Sequence, residues 1–209
     1  MKGKLLKKKL LITIFSVFLI IFALFGTYAL RHLYTKNIGL HLVPSQDFTP
    51  IELTPWLQND HEWASLELGE SGSKMASIGC LVTSIAMSLE HLGFNITPGE
   101  LCTALSENGG FTPSGQVIWN RIKEAVPGAD YTYSRIFTSR TIDNDLKNGY
   151  TPIVMVRYYK TGISHWVAIV GAKDGDYLIM DPLCADRKPI PLYGTHGRVY
   201  SYRKIVKRQ

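Results

Sequence analysis

The chain has 209 residues, 45% of them hydrophobic, a formal net charge of +6 and three cysteines. That is enough for one domain with a substantial core, and too few cysteines for a disulfide scaffold. The charge does not point to nucleic acid: six of the 23 basic residues lie within residues 1–31, which hold no acid, and the other 17 balance the 17 acidic residues.

Lys2, Lys4, Lys7, Lys8 and Lys9 make residues 1–9 a basic segment, and residues 10–30 follow without a charge. As one helix rising about 1.5 Å per residue, this run is long enough to span a bilayer. A cleaved signal peptide is the rival reading. Its apolar core is normally about 7 to 15 residues with a small-x-small site behind it, which residues 24–30 do not offer. Residues 10–30 are therefore expected to be an uncleaved transmembrane signal anchor. The lysines should keep the N-terminus cytoplasmic, and everything after the anchor should be extracytoplasmic. Residues 31–55, with Pro44, Pro50 and Pro55, read as a tether, leaving residues 56–209 as the folded domain.

Trp56 and Trp63 suit core or groove-wall positions in a loop leading to the stretch 77–87. There Gly79 frees the backbone to turn, and Val82, Ile85, Ala86, Leu89 and Leu92 recur at helical spacing up to Gly93. Cys80 then falls in the first turn of a helix, where unpaired amides and the positive dipole end favour a thiolate. A packed structural thiol is the competing reading. Thr97, Pro98 and Glu100 spell an N-cap, a first-turn proline and a capping box for a second helix ending near residue 108. A third helix is expected over 116–125. Beyond it the pattern predicts a strand at 131–136, a short helix at 141–148, and strands at 152–159, 165–172, 177–181 and 198–206. Lys173-Asp174-Gly175-Asp176 is a hairpin turn between two of them. Helices first and an antiparallel sheet second make an α+β fold, with the sheet packed on the cysteine helix.

His165 opens one strand of that hairpin and Asp181 closes the other, so antiparallel pairing brings them to the same end of the sheet. A nucleophilic thiol needs a base, and the base needs a third group to fix its tautomer; Cys80, His165 and Asp181 supply those residue types. His196 is an alternative base that lacks an evident acid partner. Cys184 follows Asp181 closely enough to lie near the same cleft, Cys102 reads as packed, and these two thiols could pair. His61, His91 and His196 show no metal-ligand spacing, so no metal is expected.

The run from Gly79 to Ser84 with Ala86-Met87, then His165-Trp166-Val167, then Asp181-Pro182, resembles the papain-like cysteine peptidases related to the bacteriocin-processing, double-glycine-leader peptidases. The similarity covers roughly residues 56–182. It implies a papain-like fold with Cys80 as nucleophile, His165 as general base and then acid, Asp181 as the orienting residue, and no cofactor. Such enzymes commonly carry an oxyanion glutamine about six residues before the cysteine, and here that position is Lys74. Lys74, with the Cys80 backbone N–H, is therefore the expected oxyanion donor, with Ser73 or Ser77 as substitutes; Gln58 lies far upstream. No Walker-type loop is present, so cleavage of a double-glycine leader is analogy alone. The expected function is a membrane-anchored extracytoplasmic cysteine peptidase, or an amidase acting on peptide bonds such as those of the cell wall. The alternative is a catalytically impaired papain-like domain that binds peptides or a neighbouring membrane protein. Acyl transfer to an amine would use the same three residues. The expected partners are a peptide or protein substrate and the membrane, with no nucleic acid.

Overall fold

The computed structural model describes residues 2–208, with side chains from residue 11 onward. The side chains of Lys2, Lys4, Lys7, Lys8 and Lys9, on which the expected orientation rests, lie outside the described residues. Helix α1 (Lys2–Ile38) continues well past the expected end of the apolar run. Its segment Leu11–Ile38 is long and apolar enough to cross a membrane; its most apolar stretch is not buried against the rest of the chain, whereas its last turns pack on the domain, with Thr35 buried.

Residues 39–55 are folded onto the domain and are not a free tether. Leu40 pairs with Val199 and Phe48 with Ala172 as isolated bridges, the Ile51 amide donates to the Val170 carbonyl, and Leu42 and Leu53 are buried. The prolines that suggest a linker here stiffen a strap across the sheet. Gly171 permits the crossing, because a Cβ there would meet the Phe48 carbonyl oxygen at 2.8 Å and the Pro50 Cα at 2.9 Å.

After a looping segment come the one-turn α2 (Met75–Ile78), α3 (Cys80–His91) and α4 (Pro98–Glu107). The capping box on α4 is formed as expected, with Thr97 accepting from the Glu100 amide and Glu100 accepting from the Thr97 amide. The third helix is largely absent: a 3₁₀ turn at Trp119–Arg121 and the one-turn α5 (Ile122–Ala125) take its place. Val117 is drawn into a bridge with Phe111, and the Ile118 amide donates to the Gly110 carbonyl. Those turn-closing bonds win over helical periodicity in a β-branched pair.

The rest is a sheet of β1 (Ala129–Tyr133), β2 (Ile153–Arg157), β3 (Ser164–Lys173), β4 (Asp176–Met180), β5 (Ile190–Pro191) and β6 (Val199–Lys207), interrupted by α6 (Ser139–Lys147) and the one-turn α7 (Leu192–Thr195). The strand order is β1-β6-β2-β3-β4-β5, with every pairing antiparallel. The β3–β4 turn has positive φ at Asp174 and Gly175, as a two-residue hairpin requires.

Both faces of the sheet are covered. Leu81, Val82, Ile85 and Leu89 of α3 pack with Leu101 and Leu105 of α4 against Ala129, Ile153 and Ile205. On the opposite face Ile142 and Leu146 of α6, with Leu42 of the strap, pack against Val154, Val167, Ile179 and Tyr202. Ile85 is fully buried. Ile85→Ala is expected to lower the stability of the domain by about 2 to 5 kcal/mol, read from the denaturant midpoint.

Candidate active site

Cys80 is the first residue of α3, so its amide belongs to the first-turn N–H groups that have no intrahelical carbonyl. The break between α2 and α3 needs Gly79 for space: a Cβ there would lie 2.4 Å from the Met75 carbonyl oxygen and 2.8 Å from its sulfur. The helix is held to the sheet beside β3 by a buried polar ladder. Ser84 donates to the Trp166 carbonyl at 3.2 Å, Ser88 to the Ser84 carbonyl at 3.1 Å, and Thr151 to the Ser88 hydroxyl at 2.8 Å.

The hairpin register pairs Ala168 with Met180, which sets His165 and Asp181 at the same end of the sheet. His165 Nε2 lies 2.6 Å from Asp181 Oδ1, and both residues are 3% exposed. With Nε2 directed at the carboxylate, Nδ1 is the imidazole atom left free to serve Cys80, which lines the same cavity. Burial disfavours a charged imidazole, but the Asp181 carboxylate that accepts from it, together with the nearby Cys80, outweighs that and pushes His165 up to about 9. Burial likewise works against the Asp181 carboxylate. Its bonds with His165, His196 and the Leu183 amide prevail and hold it well below the usual carboxylate range.

His196 joins this group. Its Nε2 lies 3.0 Å from Asp181 Oδ2 and its side chain is fully buried, so the acid partner that the sequence left it without is Asp181 itself. Asp181 thus takes one imidazole on each oxygen, and His165 is the one that borders the Cys80 cavity. The ligand atoms of His165, Asp181 and His196 lie within 4.8 Å of one another, the described residues' one grouping able to hold a metal ion.

Cys80 and His165 open on a cavity of about 200 Å³ lined also by Gln58, Ser77, Trp166 and Leu183. Lys74 does not line it. That side chain is exposed at the start of α2, and its backbone bridges to Glu67. Gln58 stands in the cavity wall instead, 2% exposed, with Nε2 donating to the Ala76 carbonyl at 2.8 Å and its backbone amide donating to Pro182 at 3.0 Å. The Nε2 group carries a second hydrogen beyond the one given to Ala76. Two features return Gln58 to the cysteine. Residues 64–76 double back, with the Met75 amide on Leu66 and the Ala76 amide on Ala64. Arg187 also pairs with Asp60 and donates to the Pro55 carbonyl at 2.7 Å, clamping residues 55–60 to the turn after Asp181.

The remaining thiols stand apart from this group. Cys102 is buried, bonded to the Glu67 carbonyl, and pushed up to about 11 by desolvation; Cys184 is half-buried in the turn after Asp181. All three cysteines are free, so the possible Cys102–Cys184 pair is not formed. His61 is exposed, and His91 bonds the Gly149 carbonyl at 2.9 Å.

Among the curated proteins compared with it, none matches the chain. Among solved structures, it is similar to a protein described as a C39-like peptidase from Bacillus anthracis, at 15% identity with a TM-score of 0.55, covering 79% of this chain and 100% of that one. That likeness shows the papain-like α+β fold. The model described as Peptidase_C39 like family matches residues 51–205, from the sheet-crossing strap to the last strand, and the chain therefore belongs to that family of papain-like cysteine peptidases.

Proposed function

We propose that the chain is a membrane-anchored, extracytoplasmic cysteine peptidase that hydrolyses peptide bonds through Cys80, His165 and Asp181. The observation that carries the reading is the buried His165, bonded to Asp181 at 2.6 Å and lining one cavity with Cys80. The Cys80 thiolate attacks the carbonyl carbon of the scissile bond, forming a C–S bond and an oxyanion. The Cys80 amide and Gln58 Nε2 stabilise that oxyanion. The His165 imidazolium protonates the departing amine as the C–N bond breaks and leaves a thioester. Water then gives its proton to His165 and attacks the thioester, releasing the acid and restoring the ion pair. Asp181 orients the imidazole throughout.

The binding-module alternative rests on a lysine, Lys74, standing where the family commonly has its oxyanion glutamine; Gln58 in the cavity wall supports the peptidase reading instead. The apolar α1 supports anchoring, and the lysines ahead of it support a cytoplasmic N-terminus.

The test is limiting iodoacetamide on the full chain in detergent from about pH 5 to 9, with labelled sites mapped by mass spectrometry. His165 raised to about 9 keeps its charge through neutral pH and loses it as the pH climbs through that value. A charged imidazole bordering the same cavity should speed the alkylation of Cys80 relative to the other thiols at neutral pH and below. Cys80 is expected to label there well ahead of Cys102 and Cys184, and His165→Ala should abolish the lead. Equal labelling of Cys80 and Cys184 in the wild type would reject the reading.

A further inference from the structure

Trp166 lines the Cys80 cavity and also a second, larger one of about 660 Å³. The second cavity is bounded by His32 and Lys36 from the last turns of α1, by Trp119 and Tyr133, by Arg135, and by Arg203 of β6. No aspartate or glutamate lines it. Arg203 is the central feature. Its guanidinium carbon lies 5.3 Å from the ring centre of Trp119, 5.4 Å from Tyr133 and 5.9 Å from Trp166. Its hydrogen bonds, to the Ser201 hydroxyl at 2.7 Å and the Tyr202 carbonyl at 3.0 Å, both use Nη1. Among the described residues no carboxylate forms an ion pair with it.

A cation taken partly out of water without a counter-ion is costly, and here desolvation pulls Arg203 below its ordinary pKa. The Nε and Nη2 donors form a planar fork, which matches two oxygens of a phosphate. The depth of the cavity narrows the source of that phosphate. The apolar run closes at Leu30, and His32 and Lys36 follow by about 3 and about 9 Å along the helix axis. The headgroup layer beyond the hydrocarbon is about 5 to 7 Å thick on each side, so His32 falls within it and Lys36 at its outer margin. Tyrosine and tryptophan rings beside basic side chains are the composition found at that depth.

We infer that this basic, aromatic-walled cavity holds the phosphate of an anionic phospholipid headgroup, fixing the peptidase domain against the bilayer. The inference rests on the reading of α1 as a membrane anchor. A peptide substrate with an acidic side chain could approach the same cavity past Trp166. Because His32 and Lys36 come from the end of the anchor itself, the lipid is the better fit.

The test uses the full chain in nanodiscs of phosphatidylcholine mixed with phosphatidylglycerol, with the lipids retained on release counted by native mass spectrometry. The wild type should retain phosphatidylglycerol in preference to phosphatidylcholine. Arg203→Gln should weaken that retention roughly ten- to a hundred-fold, the effect of losing one charge-assisted contact. Lys36→Gln and Arg135→Gln, both at exposed positions where folding is not at stake, should each weaken it less. Unchanged retention in all three variants overturns the inference. So does inorganic phosphate or an acidic peptide displacing the lipid at equal concentration. Release of the chain from membranes by alkaline carbonate would remove the anchor reading and this inference with it. Carbonate resistance combined with unaltered lipid retention overturns the inference alone.

Discussion

Cys80→Ala is expected to lower peptide hydrolysis by about four to six orders of magnitude, and His165→Ala by a comparable factor, with the double variant scarcely worse than either. The near-equality follows from how the groups act. Without the imidazole the thiol lacks both a partner for its charge and a donor for the leaving amine; without the thiol the imidazole has nothing to activate. Peptide-library hydrolysis followed by mass spectrometry measures the effect. Folding is a smaller concern at Cys80, where alanine fits the first turn of α3, than at His165, which is 3% exposed and bonded to Asp181. A circular-dichroism melt of each variant separates lost chemistry from lost structure. A Cys80→Ala protein that still cleaves peptides at the wild-type rate would end the cysteine-peptidase reading, and His196 would not rescue it, since that residue acts on Asp181 and not at the cavity.

What the sequence makes legible is whatever its neighbours along the chain determine. The periodicity of α3, the Thr97–Glu100 capping box, the Asp174-Gly175 turn and the resulting approach of His165 to Asp181 are all local signals, and each has its counterpart in the fold. Features set by distant contacts were not legible. Residues 39–55 look like a linker because the bonds that fix them run to β3 and β6, more than a hundred residues away. The third helix has the right apolar spacing, and loses to a short turn whose pairings with Gly110 and Phe111, six to eight residues back, periodicity does not report. His196 lacks an acid only as long as Asp181 is counted as having one usable oxygen. A glutamine between Trp56 and Trp63 is the available hint for Gln58, and distance along the chain hides it.

That hint leads to the second large effect: Gln58→Ala should cost about 10²- to 10³-fold in kcat, whereas Lys74→Ala should leave turnover unchanged. An oxyanion donor acts on charge that develops only in the transition state, so KM should move far less than kcat. Gln58 is suited to the role. One of its amide hydrogens is committed to Ala76, which fixes the orientation of the group, and the Asp60–Arg187 clamp holds the backbone beneath it. Lys74 would have to bring an exposed, flexible ammonium into a cavity that it does not line. Gln58→Glu sharpens the test. The shape is nearly kept, but the donor becomes an acceptor bearing negative charge, and the loss should be at least as large as with alanine. If Lys74→Ala slows turnover while Gln58→Ala does not, the spacing rule of six residues is the better guide and the buried amide is only structural.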